Sequence, residues 1–195
     1  MDYAQFNEIK VSRFILGSNP FSGFSHQSPA RDVEMRHFFT TTHIKDTLRH
    51  AEELGVNTLI ARSDYHVMRM LMEYRDEGGA LQWFAQTCPE VGSHEACILR
   101  AHANGAKAVH LHGGVMDNAY AQGKLNDVPA AIDLIHEKGM LAGIAAHNHK
   151  VTPGPRNTWT WIIICAAITT PSAETNTPNT TQTHQSSTLK RTGNR

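Results

Sequence analysis

The sequence predicts an α/β fold: an incomplete (β/α)8 barrel of the TIM type with about five βα units, followed by a non-native or disordered C-terminal tail. Three observations carry this. Short apolar runs alternate with amphipathic stretches of helical period through residues 8–150, as parallel strands buried on both faces require. A glycine separates helix from strand in "AEELGVNTLIA", "AHANGAKAVHL" and "IHEKGMLAGIA". Polar residues collect directly after nearly every apolar run, at the end of the strands where barrel active sites assemble. An open doubly wound sheet also fits the cadence, but no G-x-G-x-x-G follows the first strand, which counts against a Rossmann fold.

The elements follow in order. "VSRFILG" (11–17) reads as a strand, and "SNPFSGFSHQSPARDVEMRHFF" (18–39) as a long loop rich in Ser, Pro and Gly. "TTTHIKDTLRHAEELG" reads as a helix with a Thr cap and Gly55 as its stop; Ile44, Leu48, Ala51 and Leu54 mark its apolar face. Strands are predicted at "VNTLIA" (56–61), "LQWFAQT" (81–87), "AKAVHLHGG" and "LAGIAAH" (141–147). The helices between them are "VMRMLMEYRDEGG", where Met68, Met70 and Met72 are packing residues, then "SHEACILRAHANG" and "NDVPAAIDLIHEKG". A complete barrel takes about 250 residues, and this pattern stops after roughly five strands.

The 195 residues carry 18 basic and 18 acidic side chains. That balance gives no electrostatic footprint for nucleic acid or an anionic membrane. Cys88, Cys97 and Cys165 form no C-x-x-C pair, so a reduced, cytoplasmic protein is expected. The N-terminus lacks the pattern of a signal peptide, and the apolar run from Trp161 to Ile168 is far shorter than the ~20 residues of a membrane span. The partner expected is a small-molecule substrate.

Candidate site residues lie at the predicted strand ends. His110 and His112 are two apart on one strand, so both side chains are expected to face the barrel interior while Val109 and Leu111 pack outward. With His147 they form a candidate set for a divalent metal, which Asp64 and His66 could complete; hydrogen-bonded pocket residues without metal are the alternative. Asp64 can act as a carboxylate base or cap the helix beginning near Val67. Arg62 can bind a substrate carboxylate or phosphate, or pair with Asp64. Asn19, Gln86, His147 and Asn148 are further candidates for substrate binding. Cys88 precedes Pro89 and lacks a base, which argues against a nucleophile. His26, His37, His43, His50, His94, His102 and His136 are expected to be solvated.

"LGSNPFSGFSH", "LGVNTLIARSDYH", "VHLHGGVMD" and "AIDLIHEKGMLAGIAAHN" together resemble a divergent, uncharacterised bacterial branch of the aldo/keto reductase-like barrels. The resemblance implies an NADP-linked oxidoreductase, with His112 at the position of the active-site His and Tyr65 near that of the general acid. It also departs from the family pattern. Ile60 stands where the family carries an Asp, and Gln86 or Thr87 where it carries a Lys. A Tyr without that Lys keeps a pKa near ~10 and donates a proton poorly at neutral pH. The NADP-binding loops follow two strands that this pattern does not reach. A metal-dependent barrel isomerase, epimerase or hydrolase is the alternative, and an inactive truncated product a third.

The cadence breaks after Val151, which divides the chain into a partial barrel (1–151) and a tail (152–195) rich in Thr, Asn, Ser, Gln and Pro. The genetic code supplies a reason. Join each codon's third base to the first two bases of the next, and Thr158-Trp159-Thr160-Trp161-Ile162 becomes Leu/Met/Val–Asp–Leu/Met/Val–Asp. That reads as a barrel strand, so a frameshift near Val151 is expected; the actual Trp and Ile run still favours a short strand. A sheet lacking strands also has open edges through which copies can associate. Sequencing the gene across codon 151 is expected to show a shifted frame that stays open and continues the βα pattern; a shifted frame closed by stop codons would sink the idea.

Overall fold

The computed structural model describes residues 1–147, Val151 and the backbone of Ile162–Ile163; the rest of the predicted tail, and Asn148, lie outside the described residues. It is a mixed α/β fold built on an open parallel sheet. The chain begins with an antiparallel hairpin, β1 (Tyr3–Phe6) and β2 (Ile9–Ser12), which the sequence reading did not anticipate. Asn7 in its turn has φ 50°, a left-handed conformation that Asn tolerates better than most residues.

The predicted strand 11–17 is divided. Ser12 ends the hairpin, its hydroxyl donates to the Phe14 carbonyl (2.6 Å), and only β3 (Leu16–Gly17) joins the parallel sheet. The predicted loop contains α1 (Asn19–Ser22) and α2 (Pro29–Phe38). Helix α2 has its cap, with the Ser28 side chain accepting from the Arg31 N–H, and Pro in its first turn. No α2 residue is buried, so it has no apolar period to reveal it.

From there the βα cadence holds. Helix α3 (Thr41–Glu53), β4 (Thr58–Arg62), α4 (Tyr65–Asp76), β5 (Gln82–Gln86), α5 (His94–Ala103) and β6 (Ala108–Leu111) follow in turn. Helix α6 (Gly113–Ala121), unforeseen behind two glycines, precedes α7 (Asp127–Glu137) and β7 (Leu141–Ile144). Ile162–Ile163 pairs with β7 as β8. Thr40, Asp64 and Ser93 cap α3, α4 and α5 through their side chains. Leu54 is 60% exposed because it lies past the last turn of α3, as its C-cap. Of the three methionines of α4, Met68 and Met70 are buried but Met72 is exposed.

The glycines of the cadence have a defined job. Gly55 sits at φ 82°, and the N–H of Val56 donates back to the Ala51 carbonyl (2.9 Å). This closes the helix in the Schellman manner and turns the chain toward the sheet. The same bond recurs after α5 (Ala106 to Ala101) and after α7 (Met140 to Ile135). In each case the residue after the glycine is apolar and buried.

The sheet order is β3-β4-β5-β6-β7-β8, every neighbour parallel. Strand order follows chain order without reversal. Side chains of Leu59, Ala61, Trp83, Ala85, Val109, Leu111, Ala142 and Ile144 belong to one large core with α3, α4, α5 and α7. The other face begins with Ile60, Phe84, Ala108 and Leu141, which pack on Phe6, Ile9 and Val11 of the hairpin. Helices thus cover one face and the hairpin underlies the other. The terminal strands β3 and β8 do not pair among the described residues, so the sheet is not closed. No helix of the described residues is long and apolar enough to cross a membrane.

Asn57 fastens the hairpin to the sheet. Its Oδ1 accepts from the Ser12 N–H (2.8 Å) and the Thr58 hydroxyl (2.7 Å), and its Nδ2 donates to the Lys10 carbonyl (2.9 Å). Gln82 adds Nε2 bonds to Lys10 O (2.8 Å) and Thr58 Oγ1 (2.7 Å). Replacing Asn57 with Ala strands partners in a half-buried place, so Asn57→Ala is expected to lower stability by about 2 kcal/mol in urea denaturation. Amide exchange at Ser12 should accelerate more than at Val109; uniform acceleration would speak against a local clamp.

Candidate functional site

Parallel register aligns the candidate site. Arg62, Gln86, His110 and Gly143 are paired in one row across β4, β5, β6 and β7. Each lies two residues beyond the floor of Ile60, Phe84, Ala108 and Leu141 and therefore faces the same side. The row is the first polar layer above the hairpin, at the C-terminal ends of the strands. The expectation that Val109 and Leu111 pack outward against helices holds, since both are in the large core.

His110 is 1% exposed, and neither ring nitrogen has a hydrogen-bond partner. Burial, with a smaller contribution from His112, holds its imidazole down to about 4. It is neutral at physiological pH and presents one donor and one acceptor. Gln86 beside it is half-buried.

His112 leaves the strand after β6 and caps α6, its Nδ1 accepting from the Val115 N–H (3.4 Å). Its own N–H donates to Oγ1 of the buried Thr87 (3.0 Å), while Thr87 N–H donates to the His110 carbonyl (3.0 Å). Thr87 therefore pins the turn that carries both histidines. Partial burial lowers the His112 pKa; Glu90 opposes that shift, and Arg62 and His147 reinforce it.

Arg62 is 8% exposed and fully engaged as an ion. Its Nε donates to Asp64 Oδ2 (3.1 Å) and its Nη2 to Glu90 Oε2 (3.0 Å). Its guanidinium lies over the Phe24 ring, 4.9 Å from the centroid. Partial burial works to raise the Glu90 carboxyl, but its own backbone N–H and Arg62 outweigh that and hold it below the ordinary value. Glu90 was not singled out from the sequence: it sits in a 3-10 turn (Pro89–Val91) whose proximity to Arg62 is set by the β4–β5 pairing.

Of the two roles expected of Asp64 the cap is the one found, and Arg62 takes its alternative role as the partner of Asp64: Oδ1 accepts from the Val67 N–H (2.9 Å) and Oδ2 from Arg62. Other sequence expectations require correction. Tyr65 opens α4, is 66% exposed, and its ring stands against Arg100 of α5 (5.4 Å) rather than over the row. Asn19 is exposed and bonds His26 (3.2 Å). The metal set of His110, His112 and His147 is not assembled: no three His, Cys, Asp or Glu side chains of the described residues are grouped to hold a metal ion. His147 is instead tied to Asp117 of α6, its backbone N–H donating to the carboxylate (3.0 and 3.2 Å) and its Nδ1 lying 2.7 Å from Oδ2. Asp117 stands in "VHLHGGVMD", but only helix α6, which two glycines conceal in the sequence, carries it to His147. His94 is not solvated but half-buried, and burial lowers its pKa. Burial pushes the Cys88 thiol up to about 11, in keeping with a residue that is no nucleophile. Ile60, at the position that resembles the family Asp, lies in the apolar floor. With Gln86 uncharged as well, the residues present do not fit an NADP-dependent hydride site.

No protein-family model, curated protein or solved structure matches this chain.

The depressed pKa of His110 has a consequence for stability. Native His110 resists protonation down to about 4, whereas an unfolded His takes a proton near ~6.5. Between those values the unfolded chain binds the extra proton, so this contribution is full above about pH 6.5 and is lost as pH falls toward 4. The loss is on the order of 3 kcal/mol. Urea denaturation at pH 7 and pH 5 should show a shallower pH dependence in His110→Gln than in the parent chain; equal slopes would count against a buried neutral imidazole.

Proposed function

We propose that the chain is part of a (β/α)8-type barrel enzyme, akin to the aldo/keto reductases, whose strand-end row takes up a small, uncharged polar substrate. The observation that carries this reading is the row itself, with a buried His110 whose ring nitrogens have no protein partner. Buried polar groups are almost always paired, so such a site favours a ligand that supplies the missing bonds. The one-sided winding and unreversed strand order support the barrel. The quoted motifs, with His112 at the end of β6, support the kinship.

Charge supports an uncharged substrate. Arg62 is answered by two carboxylates, Asp64 and Glu90, and the His110 imidazole is neutral. That group carries a net negative charge, which opposes a carboxylate or phosphate at the row. Neutral imidazole and carboxamide each offer a donor and an acceptor, which match a hydroxyl or a carbonyl. In such a site Gln86 and His110 hold the substrate, and His112 stands at the rim as a titratable group able to pass a proton.

Saturation-transfer NMR on the 195-residue chain tests the reading with D-glyceraldehyde as the neutral probe and malonate as the anion. Glyceraldehyde is expected to bind and Gln86→Leu to weaken it about fivefold, the worth of one hydrogen bond. Malonate binding at equal strength, or an unaffected Gln86→Leu, would overturn it.

A further inference from the structure

A cleft of about 390 Å³ opens beside the row, between α1, α2 and the end of β4. Phe21, Phe24 and Phe39 form apolar walls; Arg36, Arg62, Ser22 and His66 supply polar groups, together with Asp64, whose carboxylate is held by Arg62. Phe21 and Phe39 meet edge to face (centroids 5.1 Å, 63°), and Phe24, 40% exposed, carries the Arg62 guanidinium over its ring.

The two guanidinium groups differ in one respect. Arg62 is neutralised by Asp64 and Glu90. Arg36 makes no ion pair with the described residues; its only hydrogen bond there is a long one, Nη1 to the Gly23 carbonyl (3.5 Å). Asp32, four residues earlier on the same helix, accepts from the Ser25 N–H (2.8 Å) and acts on Arg36 only through longer-range charge attraction. Gly23 holds Arg36 in place by what it lacks. It sits at φ +72°, and a Cβ there would meet Arg36 Cγ at 2.6 Å and Nη1 at 2.8 Å. The side chain is thus laid against bare backbone at the wall of the cleft. The Ser22 hydroxyl, on another wall, is buried without a hydrogen-bond partner.

We infer that this cleft binds an organic monoanion with a flat apolar body, its ring against the phenylalanine wall and its anionic group on Arg36 and the Ser22 hydroxyl. A guanidinium that no carboxylate of the described residues meets at ion-pair distance favours an anion. Aromatic walls favour a planar ring, and the volume is within the range that suits small ligands. Arg62 touches both the cleft and the row, but the residues that select the anion belong to α1 and α2. The inference stands independently of the substrate proposed for the row.

NMR titration of the full chain with benzoate, benzamide and acetate tests it. Benzoate should bind about tenfold more tightly than benzamide, which lacks the charge, and than acetate, which lacks the ring. Arg36→Gln should weaken benzoate about tenfold, and Arg36→Lys should recover part of the loss, with circular dichroism confirming that both fold. Gln86→Leu should leave benzoate binding unchanged. Absence of saturable benzoate binding, equal affinity for the three probes, or equal benzoate affinity in parent and Arg36→Gln would each overturn the inference. Loss of benzoate in Gln86→Leu alone would do so as well, by placing it on the row.

Discussion

Alternation of side chains along parallel strands, combined with crossovers that all leave the same face, is the constraint on which the rest of this molecule depends. Each strand sends one set of residues to the helices and the other set to the opposite face. Strand order does not reverse among the described residues, and none of their helices comes to cover that second face. The hairpin packs on its lower half, and the layer above is polar: Arg62, Gln86 and His110 in register. Had the order reversed, helices would flank both faces, and this row would have to be apolar.

Arg62 shows how much one buried charge organises. Its position in the row is set by strand pairing, and its charge is then met from two loops, by Asp64 at the cap of α4 and by Glu90 after β5. Its flat face is covered by Phe24 from the α1–α2 excursion. Removing one carboxylate would leave part of this charge unanswered in a poorly hydrated place, which is why buried ions come in sets. His110 represents the opposite solution: it stays neutral, and the missing bonds to its ring are its chemical signature.

Legibility divides along physical lines. Helices α3, α4, α5 and α7 were readable because each buries an apolar face of period 3.6 and stops at a Gly-centred turn, both local properties. Helix α2 was missed because nothing in it is buried; its Ser28 cap and Pro29 were the only available signals. Helix α6 was missed because two glycines open it, and that error concealed Asp117 and its tie to His147. Tyr65 enters the candidate site only through the family resemblance, as the residue near the general acid, whereas the first turn of α4 carries its ring to Arg100.

The sequence by itself determined the βα cadence and the sorting of Val109 and Leu111 from His110. These depend on side-chain type and on spacing of two or of 3.6, which are local. Tertiary structure alone decided that the strands follow one another without reversal in an open sheet, and that Asp64 and Glu90 both converge on Arg62. It also decided that His147 goes to Asp117 rather than to His110 and His112. Those outcomes depend on register and on contacts between residues as far apart as His147 and Asp117. Nothing in a local window encodes such a contact; the parallel pairing of β6 with β7 fixes it.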